Sequence, residues 1–273
     1  MAIGKAEKAA YNDEVKDIKK DVDENLKQIS GLMTRKKQKP KLQYYYNLEI
    51  CTYMMEVINL YLRMSDLSMD MLGIKNDTVL NNARKEFYKI LQLLEDIVGN
   101  DMDRSLKEND EYLDRIDRMN PGQILDFVNR IHDTFSALNS KVGEGSKWKW
   151  SFVEIQARVA VITRNITNFS DVAKLRDPRV EFFRERRSLM ELCKESLAEA
   201  AKQYRTKYEL SGKARDDLKK SIELLSALRK IHVLFGEEGE ATKLKNTIDA
   251  ARQTLEAEDQ ASNKKKEAQK SRG

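Results

Sequence analysis

Residues 47–72, NLEICTYMMEVINLYLRMSDLSMDML, constrain the fold more than any other stretch. The polar side chains Glu49, Thr52, Glu56, Asn59, Arg63, Asp66 and Asp70 recur at alternating steps of three and four. On an α-helix those steps form a single line of neighbours. Almost everything else in the stretch is apolar. A surface helix ordinarily carries an apolar stripe on a polar background; here the pattern is inverted. The expectation is a helix wrapped by protein on most sides, with one narrow seam facing water and Arg63 able to pair with Asp66.

Two other readings of the stretch fail. A membrane span needs about 20 nearly uncharged residues, and each charge here would cost roughly 2.5–3.5 kcal/mol at mid-bilayer. A carboxylate metal site of the di-iron type uses paired Glu-x-x-His elements in a helical bundle. No such element occurs, and the chain has only two histidines.

The rest of the composition agrees with a helical protein. In 273 residues there are 3 Pro and 11 Gly, with 35% charged and 40% apolar side chains. Few breakers and abundant helix formers favour long helices, and the modest apolar share suits an elongated bundle. The net charge is +5, spread over both signs, unlike the clustered basic footprint of a nucleic-acid binder. Cys51 and Cys193 each sit among apolar residues and read as buried thiols; a disulfide between them is the alternative. The opening MAIGKAEKAAYNDEV lacks the apolar core of a secretory signal. The chain is then either cytosolic or the mature part of an exported protein.

Helical periodicity runs through most of the chain. Tyr11, Val15, Ile18, Val22, Leu26, Ile29 and Leu32 mark a first helix over 5–37. A basic turn with Pro40 ends it, and the inverted helix follows and stops at Gly73. Asn76 or Asp77 caps a helix reaching Gly99, and a short polar helix covers 102–119. Asn120-Pro121 is a cap-plus-proline start for a helix ending at residues 143–145. Ser146 caps a helix whose heptad seam is Phe152, Ile155, Val159, Ile162, Ile166 and Phe169. Asp177-Pro178 repeats the start signal and opens a helix of about 33 residues, near 50 Å long at the α-helical rise. Ser211-Gly212 closes it. Helices over 213–235 and 241–255 follow, and from 259 the absence of large apolar residues predicts disorder. The expected fold is all-α: an elongated multi-helix bundle with coiled-coil-like seams. It divides into an N-terminal helix and basic turn (1–41), a helical body (42–258) and a basic tail (259–273).

No motif of catalysis or cofactor binding survives inspection. The Gly-x-Gly of VGEGSKWKW follows a helix rather than a strand, so the dinucleotide reading fails on context. His132 and His232 sit on helix faces beside Ile131 and Ile231, with no nameable base partner. The acidic run from Asp110 to Asp114 lacks the glycine turn of a calcium loop. No catalytic residue, metal ligand or cofactor is assigned.

Three features suit protein contacts better. Trp148 and Trp150 flank Lys149 at a helix start, and residues two apart do not share a face. One of them is therefore placed at a rim, where tryptophan anchors interfaces; the plainer alternative has both half-buried under lysine stems. Tyr44, Tyr45 and Tyr46 cannot all point inward. Half of the ten methionines lie within 54–71, where they either adapt to a partner or fill a core. Arg35, Lys36 and Lys37 open a basic turn suited to acidic partners.

The texture of YYYNLEICTYMMEVINLYLRMSDLSMDMLGI and of KWKWSFVEIQARVAVITRNITNFSDVAKLRDPRVEFF resembles the flagellar-coiling protein A family of leptospiral periplasmic flagella. That resemblance implies a non-enzymatic sheath component in the periplasm. Such a protein coats the flagellin core, contacts other sheath proteins and helps to coil the filament. It implies self-association or lattice assembly, no membrane insertion and no nucleic acid. Two alternatives stay open: a cytosolic helical adaptor or membrane-surface module using the basic clusters, and a metal- or small-molecule-binding bundle using the Glu49–Asp70 seam.

Overall fold

The computed structural model describes residues 5–143 and 145–270, with side-chain surroundings given through residue 260. Glu144, within the predicted turn at 143–145, and the last three residues of the basic tail lie outside the described residues. Ten α-helices and no strand occur among those described. They are α1 (Lys5–Gln38), α2 (Gln43–Leu72), α3 (Asp77–Val98), α4 (Asn109–Leu113), α5 (Pro121–Val142), α6 (Lys149–Ile166), α7 (Phe169–Lys174), α8 (Phe183–Leu210), α9 (Arg215–Leu234) and α10 (Glu238–Lys270). The all-α expectation is met.

The long helices pack in a chain of neighbours: α1 on α2, α2 on α3, α3 on α6, α6 on α8, α8 on α9 and α9 on α10. Helix α5 lies across α2, α3, α6 and α8 and closes the centre. The N-terminal helix therefore packs on the body, through Val15, Ile18, Val22, Ile29 and Leu32. Those positions fall on the predicted stripe; Leu26, also predicted, is 38% exposed.

Helix α6 is the common wall of two cores. Phe152, Ile155, Val159, Ile162 and Ile166, the predicted seam, join a large core with α2, α3 and α5. Val153, Ala157, Ala160 and Val161, on its other side, join a second core with α7, α8 and α9. Every residue from Val159 to Thr167 is buried. The rings of Phe87, Phe135 and Phe152 stack through the large core at centroid distances of 5.9 and 6.2 Å. Small clusters fasten the ends: Val15, Ile18, Met64 and Val79 where α1 meets α2 and α3, and Tyr208, Leu218, Ile222, Ile248 and Ala251 under α10.

Helix α2 behaves as its inverted pattern requires. Ile50, Cys51, Val57 and Ile58 have no exposed surface, while Glu49, Glu56, Asn59, Arg63 and Asp70 are exposed. The seam runs beside α5, which changes its pairing. Asp66 binds Lys141, and Glu56 meets Arg130 at 3.3 Å; the Arg63–Asp66 pair does not form. The two cysteines are both buried and free, so no disulfide joins them.

Several boundaries differ from the periodic reading. Residues 102–119 form two 3₁₀ turns around the short α4 rather than one helix. The heptad seam breaks after Ile166, because Asn168 caps α7 by accepting the Asp171 N–H at 2.9 Å. Phe169 thus begins a new helix. Ser146 accepts the Trp148 N–H at 3.0 Å, and α6 begins only at Lys149. Asp177-Pro178 does not open α8. The Asp177 carboxylate binds the backbone and guanidinium of Arg179, making a local turn. Phe182 then adopts φ 57°, a left-handed conformation, before α8 starts at Phe183. At the other end, α10 continues to Lys270 where disorder was expected. Its sequence there is rich in Ala, Lys, Glu and Gln, which favour helix without needing a core. Tyr208 and Arg215 also bind Glu258 and Asp259 on it.

Candidate protein-contact surface

The predicted contact residues fall into two groups. Tyr44, Tyr45 and Tyr46, in the first turns of α2, are all half-buried against the large core. The Tyr45 hydroxyl donates to Asp117 Oδ1 at 2.7 Å and accepts the Arg118 N–H at 3.0 Å. Burial and that acidic partner push its pKa up. Tyr44 lies 5.1 Å from the Arg115 guanidinium. These rings tie α2 to the segment after α4. Trp148 packs on the large core and Trp150 on the second. Lys147 stands 4.9 Å over Trp148, and Lys149 stands 5.1 Å over Trp150. Both rings are half-buried under lysines, the plainer of the two sequence readings. Arg35 and Lys37 are exposed in the last turn of α1, and Lys36 is half-buried.

The histidines lie apart. His132 Nε2 is 2.9 Å from Thr163 Oγ1, and burial drops its pKa to about 4. His232 Nδ1 binds Glu237, which also binds Lys194 at 2.7 Å. Burial pushes the Cys51 thiol up and the Cys193 thiol up to about 12, so neither is a ready nucleophile. No group of three or more His, Cys, Asp or Glu arranged to hold a metal occurs among the described residues. No described helix is long and apolar enough to cross a membrane.

Sequence reasoning missed a buried polar junction. Arg164 has no exposed surface; it donates to Asn165 Oδ1 at 2.6 Å and to the Arg104 carbonyl. Asn109 donates to the carbonyls of Arg164 and Thr167 at 2.9 and 3.1 Å, capping the end of α6. Arg104 and Arg115 do the same for α3. They donate to Val98 O at 2.6 Å and Ile97 O at 2.9 Å, and both stack on Tyr112, at 3.9 and 4.3 Å. Cations at a helix C-terminus meet the negative end of its dipole, which offsets part of the cost of burying them. Burial and the neighbouring Arg104 still lower the Arg164 pKa. Gly99 makes room for this stack: it takes φ +73°, and a Cβ there would lie 3.1 Å from Arg104 Nη1.

The free apolar surface lies elsewhere, towards the two ends of the helix order. Leu26 and Met33 on α1, with Met69 and Ile74 near the α2–α3 turn, are exposed. Leu210, at the end of α8, and Val233 and Leu234, at the end of α9, are exposed as well. The one of them that the sequence reading had picked out was Leu26, assigned to the α1 stripe but 38% exposed.

A family model, the TP0443 family, matches residues 7–259. The chain belongs to the TP0443 family. It is a family of spirochete type, and the match spans the whole helical array from α1 into α10. No curated protein matches the chain.

Proposed function

We propose that this TP0443-family chain is a structural, non-enzymatic component of the periplasmic flagellar filament sheath. It acts through protein–protein contacts that hold neighbouring subunits in register and help to set the filament's coil. Its partners are further copies of itself, other sheath proteins and the flagellin core. The observation that carries this reading is the placement of the exposed apolar residues. Exposed large apolar side chains occur on α1, on α2 and in the turn after it, and at the ends of α8 and α9. Exposed apolar positions on different helices of one subunit suit heterologous, head-to-tail contacts, which propagate into rings or filaments. Weak contacts repeated along a filament add through multivalency. The spirochete-type family supports the same reading.

In this account Tyr44, Tyr45, Trp148 and Trp150 set the shape of the subunit more than they touch a neighbour, since each already has partners within the chain. Arg35 and Lys37 remain available to an acidic partner. The test is fractionation of source cells, with purified periplasmic flagella probed for the chain. The expected outcome is co-purification with the filaments, weakened by Leu26→Glu with Met33→Glu. A wholly cytosolic pool, absent from filaments, overturns the proposal.

A further inference from the structure

Two adjoining concavities carry opposite charge. One, of about 160 Å³, opens between α7, the start of α8 and the turn from α9 into α10. Arg176 and Arg187 line it, beside Val172, Phe183 and Phe235. Both arginines are exposed, and neither forms an ion pair among the described residues. Arg176 donates only through Nε, to Ala173 O at 2.8 Å. The one acid in this lining, Glu237, is already bound by Lys194 and His232. Lys174, at the end of α7, and Arg184, at the start of α8, are also exposed and also form no ion pair among the described residues.

The other concavity, of about 240 Å³, opens where α4 and the 3₁₀ turn after it meet the starts of α5 and α8 and the end of α6. Asp110, Asp114, Asp117 and Asp171 line it. Asp110 accepts from Ser170, Asp117 from Tyr45 and Asp171 from Asn168, all uncharged donors. Asp114 and Asp117 are exposed, and none of the four forms an ion pair among the described residues. The cation of this lining, Arg186, is buried and donates to Glu181 O.

Val172 lines both concavities, and the consecutive Arg186 and Arg187 divide between them. Unpaired cations and unpaired carboxylates therefore adjoin on one surface. A second copy, related by a two-fold axis passing between the concavities, sets each acidic lining against the basic lining of the other. In such an isologous contact every match is made twice. We propose that this surface is a self-complementary interface that binds a second copy of this chain, with Arg176 and Arg187 of each subunit facing Asp114 and Asp117 of the other. Charge complementarity of this kind steers association and fixes register. Half-buried apolar side chains in both linings, Phe183 and Phe235 in one and Met119 and Ile124 in the other, supply area to cover. The contact is closed, unlike the head-to-tail contacts of the sheath reading, and it needs neither filament nor flagellin.

The experiment is sedimentation velocity of the purified full chain over about 1–100 µM, a range that reads micromolar dissociation constants. A monomer–dimer equilibrium is expected, weakened at least about tenfold between roughly 50 mM and 500 mM salt because the contact is charged and partly exposed. Two charge-reversed variants test the pairing: Arg176→Glu with Arg187→Glu, and Asp114→Lys with Asp117→Lys. Each alone is expected to be monomeric with an unchanged circular dichroism spectrum. Mixed in equal amounts they are expected to form the dimer again, since one half of the interface is then native and the other is reversed on both sides. That restoration separates a lost contact from a lost fold. A chain that stays monomeric at low salt up to about 100 µM overturns the proposal. So does association that either folded variant leaves unchanged, or a mixture of the two that stays monomeric.

Discussion

Helices α6 and α1 are opposites within one chain. In α6 every residue from Val159 to Ile166 is buried, including Thr163, Arg164 and Asn165. The helix separates two cores and carries a polar junction at its end. In α1 only five spaced side chains are buried, on the stripe towards α2 and, at Val15 and Ile18, the start of α3. The difference teaches where rigidity and adaptability reside. The centre is held from several directions by apolar packing and buried hydrogen bonds, so local opening there approaches global unfolding. An edge helix held along one stripe can open at a smaller cost, and its outer face stays free for a neighbour.

The largest effect expected from breaking this comparison is at the centre. Arg164→Met keeps much of the volume but leaves Asn165 Oδ1 and the Arg104 carbonyl without their donor. At about 1–3 kcal/mol for each desolvated group, urea unfolding should show a loss of about 3 kcal/mol or more. A loss under about 1 kcal/mol would mean that burying this charge costs nearly as much as its bonds return.

At the edge, Ile29→Ala should weaken the docking of α1 by about 2–4 kcal/mol. Amide exchange in α1 should accelerate while exchange in α6 stays unchanged. Equal acceleration in both would make the chain one cooperative unit and dissolve the contrast.

The third effect is pH-dependent and central. His132 is held neutral by burial, with its folded pKa lowered from 6.5 to about 4. The unfolded chain therefore binds more protons across that interval, and stability falls as pH drops from 6.5 towards 4. The contribution is fully present above pH 6.5. His132→Gln should flatten that part of the stability profile relative to the parent chain, as read from midpoints in urea. An unchanged slope would mean that His132 is solvated.

The smallest effect is on the surface. Glu56 and Arg130 are both about half exposed, and such a pair contributes roughly 0–1 kcal/mol. Glu56→Gln should move the urea midpoint only marginally. A large loss would show that the seam beside α5 is less solvated than the exposure of Glu56 indicates.

The parts of this architecture that were legible in the sequence share a local cause. Gly73 in a left-handed conformation ends α2, and Asn120 with Pro121 and Gln123 makes a full capping box for α5. The polar seam of α2 was readable because burial on most sides leaves a periodic trace. The junction was not readable, because nothing local distinguishes Arg104 or Arg164 from a surface arginine. Their burial is decided by where the ends of α3 and α6 meet in space. A hint was present in VAVITRNI, where Arg164 and Asn165 interrupt a run apolar on both faces. Asp177-Pro178 misled for a related reason: the start signal is real chemistry, but Arg179 captures the aspartate before a helix can form.

The candidate contacts were legible only in part. Consecutive aromatics signal that not all can be core, and Tyr44, Tyr45 and Tyr46 are indeed half-buried. Whether the remaining surface meets solvent, a partner or another helix depends on tertiary placement, and here Asp117, Arg115 and Arg118 occupy much of it. Leu26 fits the α1 stripe by spacing, yet it is 38% exposed because α2 covers only part of α1.

In the proposed sheath role, the edge helices meet neighbouring subunits while the centre stays fixed. Hydrogen–deuterium exchange on the full chain, free and then bound to purified periplasmic flagellar filaments, tests it most directly. The account predicts fast exchange in α1 of the free chain, clear protection of α1 and of the α8–α9 ends on the filament, and an unchanged, slow α6. Exchange in α1 as slow as in α6 before binding, or no change in α1 after it, would contradict the account.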